Sequence, residues 1–192
     1  MGRPRTFDES EILEKAANLF WEKGYANTSV QDLVDHLGIN RASLYNVYPD
    51  KDALYREALA RYQKVSQQTV REVFQEHPDI RKGLETLFIS SAQLSDAQPV
   101  GCMMVNCTVE RALEDDSIFH FLRRNKNAFL RVMKEYLKSG VETGQLSPTL
   151  DLEAVSRYLY VFYNGLNVDL KLKPRKDQVR QMIALALKVL DA

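Results

Sequence analysis

Between Asn40 and Pro49 the chain reads NRASLYNVYP, and Asn40, Arg41, Ser43 and Asn46 fall on one side of a short helix, away from Leu44 and Tyr48. These residue types suit the reading of nucleic-acid bases. An arginine fork matches the two acceptors on the edge of guanine, and an asparagine amide matches the acceptor and donor of adenine. Neither pairing makes or breaks a bond, and both need the helix to lie in the major groove.

A helix of that length needs a second element to hold it. Upstream, Thr28 is positioned to cap a helix, with Gln31 reaching back to it three residues on, the pattern of a capping box. Val30, Leu33, Val34 and Leu37 then recur at helical spacing and form one apolar stripe. Gly38 is suited to the left-handed conformation that closes a helix, and Asn40 is suited to start the next one. Pro49 stops that second helix. The arrangement predicts a helix-turn-helix over residues 28–48.

Phe20, Gly24-Tyr25, Thr28-Ser29-Val30, Gly38, Leu44-Tyr45 and Lys51 stand at spacings that resemble the DNA-binding domain of the TetR family of transcriptional regulators, over about residues 8 to 55. Beyond residue 60 the likeness is one of helical layout. The resemblance implies that Arg41, Ser43 and Asn46 face the major groove. It also implies that Thr28, Tyr45 and Lys51 hold phosphates, the first and last partly through helix N-termini. It further implies a homodimer on a palindromic double-stranded DNA operator, released when a small-molecule effector of unknown identity binds. The chain departs from the family pattern at Val47, where an aromatic or histidine is common, and at Tyr48, where phenylalanine is usual.

The charge balance argues against a general affinity for nucleic acid. Formal net charge is zero over 192 residues, and acids outnumber bases in the first 60. The favourable positive groups are Arg3 and Arg5 on an N-terminal arm, Arg41 and Lys51. Such a distribution implies binding dominated by a specific site, with minor-groove contacts from the arm.

Along the chain, Asp8 and Glu11 form a second capping-box pattern, opening a helix with Ile12, Leu13, Ala16, Ala17 and Phe20 on its inner face. Asp50 is placed to cap a long helix running to about Glu76, a mechanical link into a larger domain. A further helix starts near Asp79, with Ile80, Leu84, Leu87, Ser91 and Leu94 on one face, and Asp96 to Gly101 reads as a loop. A short helix holding Met103 to Val105 follows. The next begins near Asp116, carries the stripe Ile118, Leu122, Asn125, Phe129, Met133 and Tyr136, and ends near Gly140 or Gly144. From Asp151 to about Lys171 two faces are apolar, Leu159, Phe162, Tyr163 and Leu166 on one and Tyr158, Val161, Gly165 and Val168 on the other. A helix apolar all round is buried all round.

No strand-period alternation of useful length occurs, so the expected class is all-α: a three-helix DNA-binding domain at 1–49 and a larger helical ligand-binding and dimerisation domain at 50–192. The expected dimer face joins Tyr158, Val161, Gly165 and Val168 to Met182 and Ala186 of the last helix. A ligand pocket is expected along the link helix, lined by Phe88, Met104, Phe119, Phe129 and Phe162.

No secretory signal or membrane-length apolar run is present, which predicts a cytoplasmic protein with no membrane partner. Cys102 and Cys107 fit no zinc spacing. Five residues apart on one helix they would diverge by ~140°, so they read as packing residues and not as a disulfide. The alternative is an oxidant-sensing thiol. The acidic run of Glu110, Glu114, Asp115 and Asp116 reads as a solvated helix end. No catalytic motif or cofactor-binding loop is present, and the expectation is a non-enzyme without cofactor. The rival to a DNA-binding regulator is a helical ligand-binding or adaptor dimer whose helix-turn-helix is only structural.

Overall fold

In the computed structural model the described residues are 8–92 and 99–191, with backbone alone at 91 and 92. They form an all-α protein. The arm with Arg3 and Arg5, the side chain of Ser91, and Leu94 with the start of the loop after it lie outside the described residues.

The first helix, α1 (Glu9–Lys23), is capped by the Asp8 carboxylate, which accepts from the Ser10 amide. The expected reciprocal bond from Glu11 is not what its carboxylate makes, since it pairs with Lys15 one turn on. The helix α2 (Val30–Leu37) is capped by Ser29 and not by Thr28. Asp32 completes the capping box, and Gln31 bonds instead to Asp35. Gly38 closes α2 in the left-handed region, at φ 65°. Asn40 caps α3 (Arg41–Val47), accepting from the Ser43 amide.

Asp50 caps α4 (Lys51–Glu76), whose 26 residues span ~39 Å. The remaining helices are α5 (Ile80–Ala92), α6 (Met103–Arg111), α7 (Asp116–Glu142), α8 (Leu152–Asp169) and α9 (Lys176–Ala186). Short 3-10 turns follow α8 at Leu170–Leu172 and α9 at Leu187–Asp191.

Two apolar clusters hold these helices together, and α4 belongs to both. Its first half sends Leu54, Tyr55, Ala58 and Leu59 against Ala16, Phe20, Leu33, Leu44 and Cys107. Its second half sends Val70 and Phe74 against Ile80, Leu84, Met133 and Leu159. Any shift of α4 in one cluster is therefore felt in the other, because packed interiors transmit strain. The Tyr136 hydroxyl, which donates to the carbonyls of His77 and Asp79, pins the turn that ends α4.

Candidate nucleic-acid interface and cavity

The core face of α3 is small, with Leu44 and, just past the helix, Tyr48 buried at 4% and 3% exposure. The other side is open. Arg41, Ala42, Tyr45, Asn46 and Val47 are exposed, and Ser43 is half-buried. The Arg41 guanidinium lies 5.5 Å from the centroid of the Tyr45 ring. Among the described residues neither Arg41 nor Asn46 is engaged by an acidic or hydrogen-bonding side chain. The amide oxygen of Asn40 is occupied as a cap, which leaves its nitrogen outward.

Two of the expected phosphate holders have internal work instead. Thr28 is fully buried, and its hydroxyl donates to the Gly24 carbonyl at 2.6 Å. Lys51 donates to the carbonyls of Tyr25 and Thr28 at 3.0 and 2.9 Å, with its ammonium 4.1 Å from the centroid of the Tyr25 ring. Burial lowers its pKa. The sequence reading did not foresee these internal bonds. A spacing pattern does not reveal that the turn between α1 and α2 exposes carbonyls needing a buried donor.

That turn is clamped from α6 as well. The Glu110 carboxylate accepts from the Tyr25 amide at 2.8 Å, and Asn106 donates to the Trp21 carbonyl. Arg111 lies 4.0 Å from the Tyr25 ring centroid and pairs with Asp52 and Asp115, while Arg56 bridges the same two acids. Burial works against the ionised Asp52, but bonds from Arg56 and Arg111 outweigh it and hold its carboxyl below the usual range. The Ser117 hydroxyl, the Ile118 amide and Arg56 hold Asp115 down at about 2. The run of Glu110 and Asp115, expected to be a solvated helix end, is in fact a joint between α6, α4 and the α1–α2 turn. Its one sequence signal was the i, i+4 pair Arg111–Asp115.

A cavity of about 270 Å³ opens between α4, α6, α7 and α8, with Met104 and Phe129 on its wall. The other three expected lining residues are elsewhere. Phe88 is fully buried in the second core, and Phe162, half-buried, packs edge-on against it. Phe119 is 40% exposed near the start of α7, under Arg123. In their place stand polar groups the aromatic pattern missed, namely Gln67, Arg71, Asn125, Tyr160 and Asn164. Asn125 alone had left a signal, as the polar member of an apolar stripe. A second cavity of about 360 Å³ lies between α1 and α4, beside Trp21 and Tyr62.

The outer stripe of α8 is open, with Val161, Val168 and Tyr158 at 66%, 50% and 46% exposure. Gly165 lies on the same face, with nothing within 4 Å of where a Cβ would stand. On α9 Met182 is half-buried against the subunit's own core. Ala186, expected at a dimer face, is 2% exposed inside that core, and it is Leu185, at 65%, that points outward.

Both thiols are buried and unpaired with each other. Cys102 precedes α6 as its N-cap, so the two cysteines do not share a helix. Cys107 lies against the Tyr55 hydroxyl, and burial pushes its thiol up. Among the described residues no cluster of three metal-ligating side chains occurs, and no helix is long and apolar enough to cross a membrane.

Comparison with known proteins adds to this geometry. Residues 12–58 match the model for bacterial regulatory proteins of the tetR family, and residues 82–186 match a tetracyclin repressor-like C-terminal domain. The chain is 26% identical over 191 residues to the HTH-type transcriptional repressor ComR of Escherichia coli K12, covering 98% of this chain and 91% of that protein. It is 28% identical to the HTH-type transcriptional regulator YezE of Bacillus subtilis 168, over the whole of both. Among solved structures, a cysteine-substituted TetR family transcriptional regulator, CifR, in complex with 26-base-pair operator DNA superposes with a TM-score of 0.84 at 27% identity. That match covers 100% of this chain and 99% of the other.

Proposed function

Because the chain belongs to the TetR family of bacterial regulatory proteins, we propose that it is a ligand-responsive transcriptional repressor that binds a palindromic operator as a homodimer. The observation that carries this reading is the open side of α3. Among the described residues, Arg41, Tyr45 and Asn46 meet no competing side-chain hydrogen bond there, on a helix whose opposite side is buried. A merely structural turn has no use for that face. In this reading Arg41, Ser43 and Asn46 read bases, Tyr45 and the Asn40 amide nitrogen reach the backbone, and Arg3 and Arg5 enter the minor groove.

The second copy is joined through Tyr158, Val161, Gly165 and Val168, with Met182 and Leu185 at the edge. The 270 Å³ cavity holds the effector, whose entry moves α4 and α6 together. Typical coupling of ~1–3 kcal/mol corresponds to an operator affinity lowered roughly 5- to 150-fold. The division at residues 1–49 and 50–192 belongs to the same reading, with α4 as the shared beam. The protein acts in the cytoplasm, without catalysis or cofactor.

Selection of double-stranded DNA by the purified full chain, followed by sequencing, tests the reading. The expected product is an inverted repeat with half-sites one helical turn, ~34 Å, apart. Recovery of no preferred sequence would leave the adaptor dimer in its place.

A further inference from the structure

The effector's chemistry is written in the cavity wall. Its volume of about 270 Å³, set beside a dry cavity of ~150 Å³ that takes benzene, suits roughly ten to a dozen non-hydrogen atoms. One side is aromatic. Phe129 stacks on Tyr163, with centroids 5.5 Å apart and planes at 24°, and meets Tyr160 at 5.6 Å. A flat ring lies naturally against such a surface.

The wall presents a defined donor beside these rings. Gln63 and Gln67 both donate to the single amide oxygen of Asn125, each at 3.1 Å. That saturates the Asn125 acceptor and leaves its NH2 as the group an occupant can use. The Tyr160 hydroxyl shares the wall with Asn164 and is a second group able to donate. The Thr108 hydroxyl gives its proton to the Met104 carbonyl. The acceptors among the described lining groups are neutral, including the amide oxygens of Gln67 and Asn164 and the hydroxyl oxygens of Ser66 and Thr108.

Charge is one-sided as well. Arg71 lies on the wall and makes no ion pair among the described residues, and Lys126 sits 5.5 Å from the outer Tyr160 ring. None of the described lining residues is an aspartate or glutamate. A cation entering would shed water without gaining a carboxylate partner among the described lining residues, and would meet the Arg71 guanidinium.

We infer that this cavity takes a compact aromatic molecule carrying a carbonyl oxygen, as a neutral ketone or a carboxylate, and rejects the matching amine. The inference rests on the effector reading only for its consequence at DNA.

Calorimetric titration of the full chain with 4-phenylbutan-2-one, 3-phenylpropionate and 3-phenylpropylammonium tests it. At least one oxygen-bearing probe binds at millimolar concentration or below, and the ammonium binds at least roughly tenfold more weakly. Arg71→Gln separates the two oxygen sources, weakening the acid and sparing the ketone. Asn125→Leu weakens whichever probe binds by roughly fivefold or more. Phe129→Ala, which leaves the glutamine–asparagine bonds untouched, does so independently. Equal or tighter binding of the ammonium, binding of none of the three, or binding indifferent to both Asn125→Leu and Phe129→Ala overturns the inference. Operator affinity is measured on the same samples. Selective probe binding that leaves it unchanged sustains the ligand class and overturns the effector reading.

Discussion

The ammonium of Lys51 lies 4.1 Å from the centroid of the Tyr25 ring and donates at 3.0 Å to the carbonyl of that same residue. Lys51 opens α4 and Tyr25 sits in the turn between α1 and α2, so one side chain fastens the link helix to the root of the helix-turn-helix. Glu110 takes the Tyr25 amide from the other side. The residue between the DNA-reading unit and the cavity-bearing helices is thus held at its nitrogen, its oxygen and its ring.

Lys51→Met keeps the aliphatic stem and removes the charge. Two hydrogen bonds from a charged donor and a ring contact are lost, so the variant should be less stable by about 1–3 kcal/mol. A denaturant melt without DNA reads this directly. An unchanged melt with weakened DNA binding would return Lys51 to the phosphate role.

Arg41→Ala should cost about 1–3 kcal/mol of operator affinity and relax the preference at one base pair in each half-site. Asn46→Ala should act at a different base pair. Because both side chains are exposed on α3, the melting temperature should not move. If selected DNA binds both variants with full affinity and selectivity, α3 is not the reading helix.

Gly165→Arg is a clean probe of the proposed dimer face. Nothing stands within 4 Å of the new Cβ in one subunit, so the subunit fold tolerates it, while an opposing copy would not. Sedimentation should show folded monomers at concentrations where the parent is dimeric. Dimers of unchanged strength would move the interface elsewhere.

Asp115 gives a pH signature. Its carboxyl ionises at about 2 in the folded chain against an ordinary 3.8, held down by Ser117, Ile118 and Arg56. A depressed carboxylate pKa stabilises fully above the unfolded value and is lost as pH falls through the folded one. The stability gap between the parent and Asp115→Asn should therefore be widest above pH 4 and close between pH 4 and 2. A gap independent of pH would remove the charge from the explanation.

Cys107 is fully buried against Tyr55, with its thiol pushed up by burial, so it should resist alkylation in the native state. Cys107→Ala should cost about 1–2 kcal/mol of stability through lost packing and leave operator affinity alone. Loss of DNA binding on mild peroxide treatment, restored by a reductant and absent in the variant, would make the thiol a sensor.

Local chemistry was legible in the chain itself. Gly38, Asn40, Asp50 and Pro49 act on the backbone within a few residues, so their caps and breaks need no tertiary partner to be read. The apolar stripe of α2 and the open side of α3 followed from spacing alone. Which face of an apolar helix meets which neighbour was not legible, because periodicity gives an angle around one helix and not its bearing on another. Phe88, Phe119 and Phe162 were placed at the cavity on type, and packing put the first in the core, the third half-buried against it and Phe119 near the surface. Ala186 and Leu185 are adjacent and apolar alike, and only the rotation of α9 against the core decided that the alanine is inside. Thr28, Lys51, Glu110 and Arg111 depend on backbone groups and charges brought together from across the chain. Hydrogen bonds spanning 85 residues between Glu110 and Tyr25, or 23 between Lys51 and Thr28, exist only once the helices are docked. The exposed face of α3 was thus set by sequence-local rules, while the clamp behind it and the chemistry of the cavity were set by tertiary packing.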